Sequence, residues 1–136
     1  MRLEYGNDQW IVDKPNTAGV LTEIFGSHKI GLGTSMVADH NTQTGASWGN
    51  AAIGDKLYVK APYGEFIYQV LRVGVADNVG DATFVMQDDG LDVVAFAQSG
   101  TFNGLILFTC YPLNQSGATT QRFVVFAEMV DGTEII

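Results

Sequence analysis

At 136 residues the chain is the size of one ordinary domain, and its 46% hydrophobic and 16% charged residues suit a globular protein with a single core, which excludes a disordered chain. Fifteen acidic residues against seven basic ones leave a net charge of -8 with no Lys/Arg cluster; such a surface repels phosphate backbones, so nucleic-acid binding is disfavoured. No apolar run approaches the ~18–20 residues of a membrane helix, and Met1-Arg2-Leu3-Glu4-Tyr5 lacks the features of a signal peptide, so a soluble chain is expected, held to a membrane only through an anchor absent from this sequence.

The whole chain, 1–136, reads as one β-rich domain. A weak strand is expected at 9–12, then one short helix over 17–25, capped by Asn16 or Thr17 and stopped by Gly26. A weak strand at 34–38 follows, then clear strands at 56–60 and 65–73, dense in β-branched and aromatic residues, with Pro62-Tyr63-Gly64 between them as a turn. Weaker strands are expected at 82–86 and 91–96, and strong ones at 105–109 and 122–127. Asp88-Asp89-Gly90-Leu91-Asp92 lacks the alternating ligands of a calcium loop and reads as a turn. Phe123-Val124-Val125-Phe126 is apolar on both faces, as a central strand covered from both sides would be. About eight short strands with frequent turns argue for a mostly all-β fold, a closed or nearly closed β-barrel carrying one or two short helices.

Cys110 is the only cysteine, so no intramolecular disulfide forms, and the first reading of such a residue is a small buried hydrophobe. Its position argues for more. It ends a strongly apolar strand and is followed by Tyr111 and Pro112; proline cannot donate to a ladder, so the strand should stop at or just after Cys110. A strand end holds a side chain rigidly and leaves it reachable, which suits a nucleophile. Of the two histidines, His40 sits where the 34–38 strand runs out, whereas His28 in Gly26-Ser27-His28-Lys29 reads as an exposed loop residue. His40 is the better base. Arg122 opens the last long strand, 12 positions after Cys110. If those strands are neighbours, its guanidinium returns near the level of Cys110 and can donate to a carbonyl or a developing oxyanion. Gly31-Leu32-Gly33 lacks the third glycine and the strand–helix context of a dinucleotide loop.

Ile106-Leu107-Phe108-Thr109-Cys110-Tyr111-Pro112, followed by Arg122-Phe123-Val124-Val125, resembles the sortase signature: a Leu-x-Thr-Cys ending a strand, then an Arg opening the next. Upstream, Met36-Val37-Ala38-Asp39-His40-Asn41 resembles the segment carrying that family's histidine. Ile53-Gly54-Asp55-Lys56-Leu57-Tyr58-Val59 is similar to its Gly-Asp turn and following strand, and Gly64-Glu65-Phe66-Ile67-Tyr68-Gln69-Val70 to the strand after that. The resemblance runs in order from Val37 to Ala127, with Asp39 where the family commonly has Gly and Ile106 where a Thr often opens the cysteine motif. Papain-like enzymes place Cys ahead of His, the reverse of the order here, and the Ser-His-Gly-Cys motif of Cys-bearing L,D-transpeptidases is missing.

The resemblance implies an eight-stranded sortase-like barrel and a cysteine transpeptidase with His40, Cys110 and Arg122 as its catalytic residues. Asp39 or Asn41 would orient His40, Thr109 and Tyr111 would flank the nucleophile, and Phe102 and Leu113 would line the substrate groove. The implied partners are a sorting-signal peptide of the Leu-Pro-x-Thr-Gly kind, on a surface or pilin protein, and an amine of cell-wall precursor or pilin. The implied location is the extracellular face of the cell membrane of a Gram-positive bacterium. No cofactor and no metal is expected; some sortases bind calcium through acidic residues near the groove, and no spacing here identifies such a site. Two other readings stand beside this one: a β-barrel binding module with a structural Cys110, and a sortase-fold hydrolase that uses water in place of an amine.

Overall fold

The computed structural model describes residues 2–5, 17–20, 31, 33–38, 48–61, 64–80, 83–99, 102–111 and 120–134. Its strands are β1 (Arg2–Tyr5), β2 (Thr17–Val20), β3 (Ser35–Ala38), β4 (Lys56–Ala61), β5 (Gly64–Gly80), β6 (Thr83–Met86), β7 (Gly104–Tyr111) and β8 (Gln121–Glu134), with one described helix, α1 (Val93–Gln98). They form a single sheet in the order β1-β2-β3-β7-β8-β5-β4, with β6 also paired to β5. The β1–β2 and β3–β7 pairs are parallel, and β7–β8, β8–β5, β5–β4 and β5–β6 are antiparallel.

The mostly-β expectation holds, and closure of the barrel is corrected. Among the described residues no ladder joins β1 at one edge to β4 or β6 at the other, so the sheet is open. A closed barrel pairs every strand on both sides, whereas among the described residues β1 pairs with β2 alone and β4 with β5 alone. Two local expectations are corrected as well. Thr17–Val20, expected to start a helix, is a strand paired with both β1 and β3; Gly19 weakens a helix there, and the β-branched Thr17 and Val20 suit a pleated surface. The span expected as a strand at 91–96 makes one bridge, Val85 to Asp92, and then turns helical. The Asp92 carboxylate accepts a hydrogen bond from the Ala95 N–H at 3.1 Å, an N-cap that selects helix over strand, and Val93 and Ala97, four apart, bury one face. The strand expected at 9–12 and the turn residues Pro62 and Tyr63 lie outside the described residues.

The sheet has two apolar faces. One buries Val37, Trp48, Phe66, Tyr68, Val70, Leu105, Leu107, Val125 and Ala127. The other buries Met36, Ala76, Phe84, Met86, Ile106, Phe108, Val124 and Phe126 beneath α1. β7 alternates between them, and every residue from Gly104 to Thr109 is buried, as a central strand covered on both sides requires. A bulge in β5 decides which residues reach the α1 face. Val70 pairs with Ala127 and Arg72 with Phe126, leaving Leu71 as the extra residue. That insertion reverses the side-chain parity, so Arg72, Gly74 and Ala76 share the α1 face. Gly74 packs closely there: a Cβ on it would stand 2.7 Å from the Met86 Cε, the mobile end of that side chain. Among the described residues no helix is long and apolar enough to cross a membrane.

Candidate active site

Cys110 stands next to last in β7, and β7 ends at Tyr111, one residue before Pro112. The strand end therefore falls where proline chemistry predicted it. Cys110 and Arg122 are register partners across the β7–β8 ladder, and directly opposed positions in an antiparallel pair share one face of the sheet. Ile106 and Phe108 lie on the α1 face and alternate with Leu105 and Leu107 on the other, so the positions of Cys110 and Arg122 continue the α1 face to its end.

Arg122 is half-buried. Its Nη1 donates to the carbonyl of Gln121 at 2.9 Å, and its guanidinium carbon lies 5.6 Å from the centre of the Phe84 ring. Phe84, on β6, is 7% exposed and meets Phe108 in a tilted contact with centroids 5.9 Å apart. Nothing local in the sequence marked Phe84; only the pairing of β6 onto β5 brings it to this face.

The other expected residues fall in several places. Thr109 is 2% exposed and, by strand alternation, belongs to the face opposite Cys110; its Oγ1 has no hydrogen-bond partner among the described residues. Phe102 is not brought to Cys110. It packs on Phe96 of α1 with centroids 5.1 Å apart, and its carbonyl accepts from the Thr34 hydroxyl at 2.5 Å. It lies beyond Gly104, the far end of β7, roughly 20 Å from Cys110 at the rise of a strand. Of Tyr111 the description covers its place in β7, paired with Gln121. His40, Asp39, Asn41, Leu113 and His28 lie outside the described residues.

A second guanidinium rests on the same face. Arg72 sits 5.6 Å from the centre of the Phe126 ring and bonds the carboxylates of Asp88 at 2.5 Å and Asp89 at 2.9 Å. The hydrogen bond from Arg72, and then the Leu91 N–H, hold the Asp89 carboxyl below the usual carboxylate range. This bridge links the turn between β6 and α1 to β5. Among the described residues no group of three or more His, Cys, Asp or Glu side chains is placed to hold a metal ion.

No protein-family model matches the chain. Its sequence is 24% identical to sortase D of Bacillus subtilis (strain 168) over 98 residues, 72% of this chain and 43% of that protein. The chain thus spans less than half the length of the curated relative it matches. Among solved structures, it is similar to sortase E1 from Streptomyces coelicolor with a tripeptide in the active site, at a TM-score of 0.70 and 16% identity over 97% of this chain and 81% of that one. Sortase A of Listeria monocytogenes gives a TM-score of 0.68 and 16% identity over 98% and 81% of the two chains. Sortase C from Clostridium perfringens SM101 gives 0.63 and 24% over 95% and 62%. These structural likenesses show the fold.

Proposed function

We propose that this chain, a sortase-family domain by fold and by sequence, is a cysteine transpeptidase that cleaves a sorting signal of the Leu-Pro-x-Thr-Gly kind and passes the acyl group to an amine of cell-wall precursor or pilin. The observation that carries the reading is the register pairing of Cys110 with Arg122 at the end of the α1 face. A second supports the histidine. β3 and β7 run parallel, with Ala38 level with Phe108, and His40 and Cys110 each follow two residues later. The two strands therefore run in the same direction, with His40 and Cys110 at the same sequence count beyond the paired residues.

In this mechanism the Cys110 thiolate attacks the scissile carbonyl carbon, forming the C–S bond and a tetrahedral oxyanion. The Arg122 guanidinium and the Tyr111 N–H are the donors assigned to that oxygen. Collapse breaks the C–N bond, His40 protonates the leaving amine, and a thioacyl-enzyme remains. An incoming amine, deprotonated by His40, then attacks the thioester carbonyl and releases the thiolate. With a thiol near its ordinary pKa of ~8.5 and an imidazole near ~6.5, the thiolate–imidazolium form is only about 1% of the enzyme at neutral pH. A guanidinium opposite the thiol raises that share, because it favours the charged form of the sulfur. The site of action in this reading is the extracellular face of a Gram-positive membrane.

The test is cleavage and transfer of a sorting-signal peptide, with and without oligoglycine or a lysine-like amine, by wild type, Cys110→Ala, His40→Ala and Arg122→Ala. Transfer by wild type, with loss of turnover in Cys110→Ala, is expected. Full activity in Cys110→Ala overturns the proposal, and cleavage indifferent to added amine makes the protein a hydrolase.

A further inference from the structure

We infer that Phe84 is a positioning residue for Arg122: its buried ring holds the guanidinium in place at the end of the face to which the Cys110 position belongs. The inference rests on the reading of Arg122 as an oxyanion donor. Arg122 is the second residue of β8, and a long, rotamer-rich side chain at a strand start would otherwise sample many orientations. Two described contacts narrow them: the hydrogen bond to the Gln121 carbonyl at 2.9 Å and the ring of Phe84 at 5.6 Å.

The ring is itself fixed. Phe84 is 7% exposed, and it lies against Phe108, which precedes Cys110 by two residues on the same face of β7. The packing sequence Arg122–Phe84–Phe108 therefore ties the guanidinium of β8 to the strand that carries the thiol. The chemistry of the contact suits a donor. A carboxylate in that place would neutralise the charge and occupy the N–H groups, as Asp88 and Asp89 do for Arg72. A ring face attracts the cation through its quadrupole and does not itself compete for the in-plane N–H donors as a carboxylate does. A leucine of similar apolar character would fill the space without that attraction.

The test compares wild type, Phe84→Leu and Phe84→Tyr in steady-state peptide cleavage and in NMR spectra of 15N-arginine-labelled protein, with the Arg122 Nε–H signal assigned by its loss in Arg122→Met. Phe84→Leu is expected to lower kcat by about fivefold, the effect of losing a partly desolvated cation–π contact, with KM unchanged, and Phe84→Tyr to retain wild-type kcat. The Arg122 signal should carry a ring-current shift in wild type and Phe84→Tyr and lose it in Phe84→Leu. Phe84→Met, which keeps the bulk without the ring, replaces Phe84→Leu if that variant melts near the assay temperature. An unchanged or increased kcat in the ringless variant overturns the inference, the increase meaning that the ring parks the guanidinium away from the reaction. A signal that responds as expected in a wild type that cleaves no sorting peptide upholds the contact and refutes the transpeptidase reading.

Discussion

Replacing Arg122 with Met tests whether the register pairing with Cys110 has an electrostatic consequence. Opposed residues in an antiparallel pair have Cα atoms about 4.5–5.5 Å apart, which allows the two charges an approach of roughly 6 Å. At an effective dielectric of ~20–40 for a half-buried pair, that separation is worth about 1.4–2.8 kcal/mol, at least a tenfold change in thiolate population. The rate change is smaller, because a thiolate made tenfold more basic also reacts roughly threefold faster with a disulfide. The assay is the reaction of the single thiol with a small aromatic disulfide from pH 5 to pH 11. At neutral pH Arg122→Met should react about three- to fourfold more slowly than wild type; above the titration of both thiols it should react roughly threefold faster. The two profiles therefore cross. A change in access alone would scale the whole profile and produce no crossing. Profiles that coincide, or stay parallel at every pH, refute the argument that the register partners face one another.

Two predictions concern the frame around the site. A Cβ at Gly104 would collide with the backbone carbonyl of Ala127 and press the Phe102 ring, and that oxygen cannot retreat without breaking the β7–β8 ladder. Gly104→Ala should cost about 2–3 kcal/mol and lower the melting temperature by roughly 5–15 °C; an unchanged calorimetric melt would mean the two backbones are not so close. The second concerns acid. The Asp89 carboxyl is held below its usual range first by the Arg72 hydrogen bond and then by the Leu91 N–H, so its contribution is complete above the ordinary carboxylate pKa and is lost as pH falls through the lower folded value. Arg72→Met should therefore lose less stability on acidification than wild type, by a small margin at so exposed a pair. Urea unfolding at a series of pH values measures it, and parallel acid limbs for the two proteins would remove the bridge from the account.

The elements that declared themselves in the sequence are those in which both faces of a strand are apolar. β7 and the first half of β8 are dense enough in Leu, Ile, Phe and Val that only a central strand could bury them, and Pro112 marked where β7 stops. The neighbourhood of Cys110 and Arg122 was conditional on those two strands being neighbours, which the β7–β8 ladder makes them. Where a single side chain or a pairing partner decides, the pattern misled. Val93-Val94 looked like a strand because β-branched residues favour one, yet the Asp92 cap made it a helix. Residues 17–20 look like a helix start until β1 and β3 bind them on either side. The bulge at Leu71 has no local signature, and neither has the role of Phe84, since both are set by register between distant segments.

The parallel pairing of β3 with β7 suits the three-part site proposed above. That proposal needs groups at 40, 110 and 122 at one end of a sheet. An antiparallel neighbour supplies the guanidinium easily, because β8 starts where β7 finishes. It could not also supply the histidine from the end of a strand: were β3 antiparallel to β7, the chain would leave β3 beside Gly104, roughly 20 Å from Cys110 at the rise of a strand. Running parallel, with Ala38 level with Phe108, β3 has its last described residue toward the end of the sheet that β7 reaches with Cys110. One strand start and two strand finishes thus converge there.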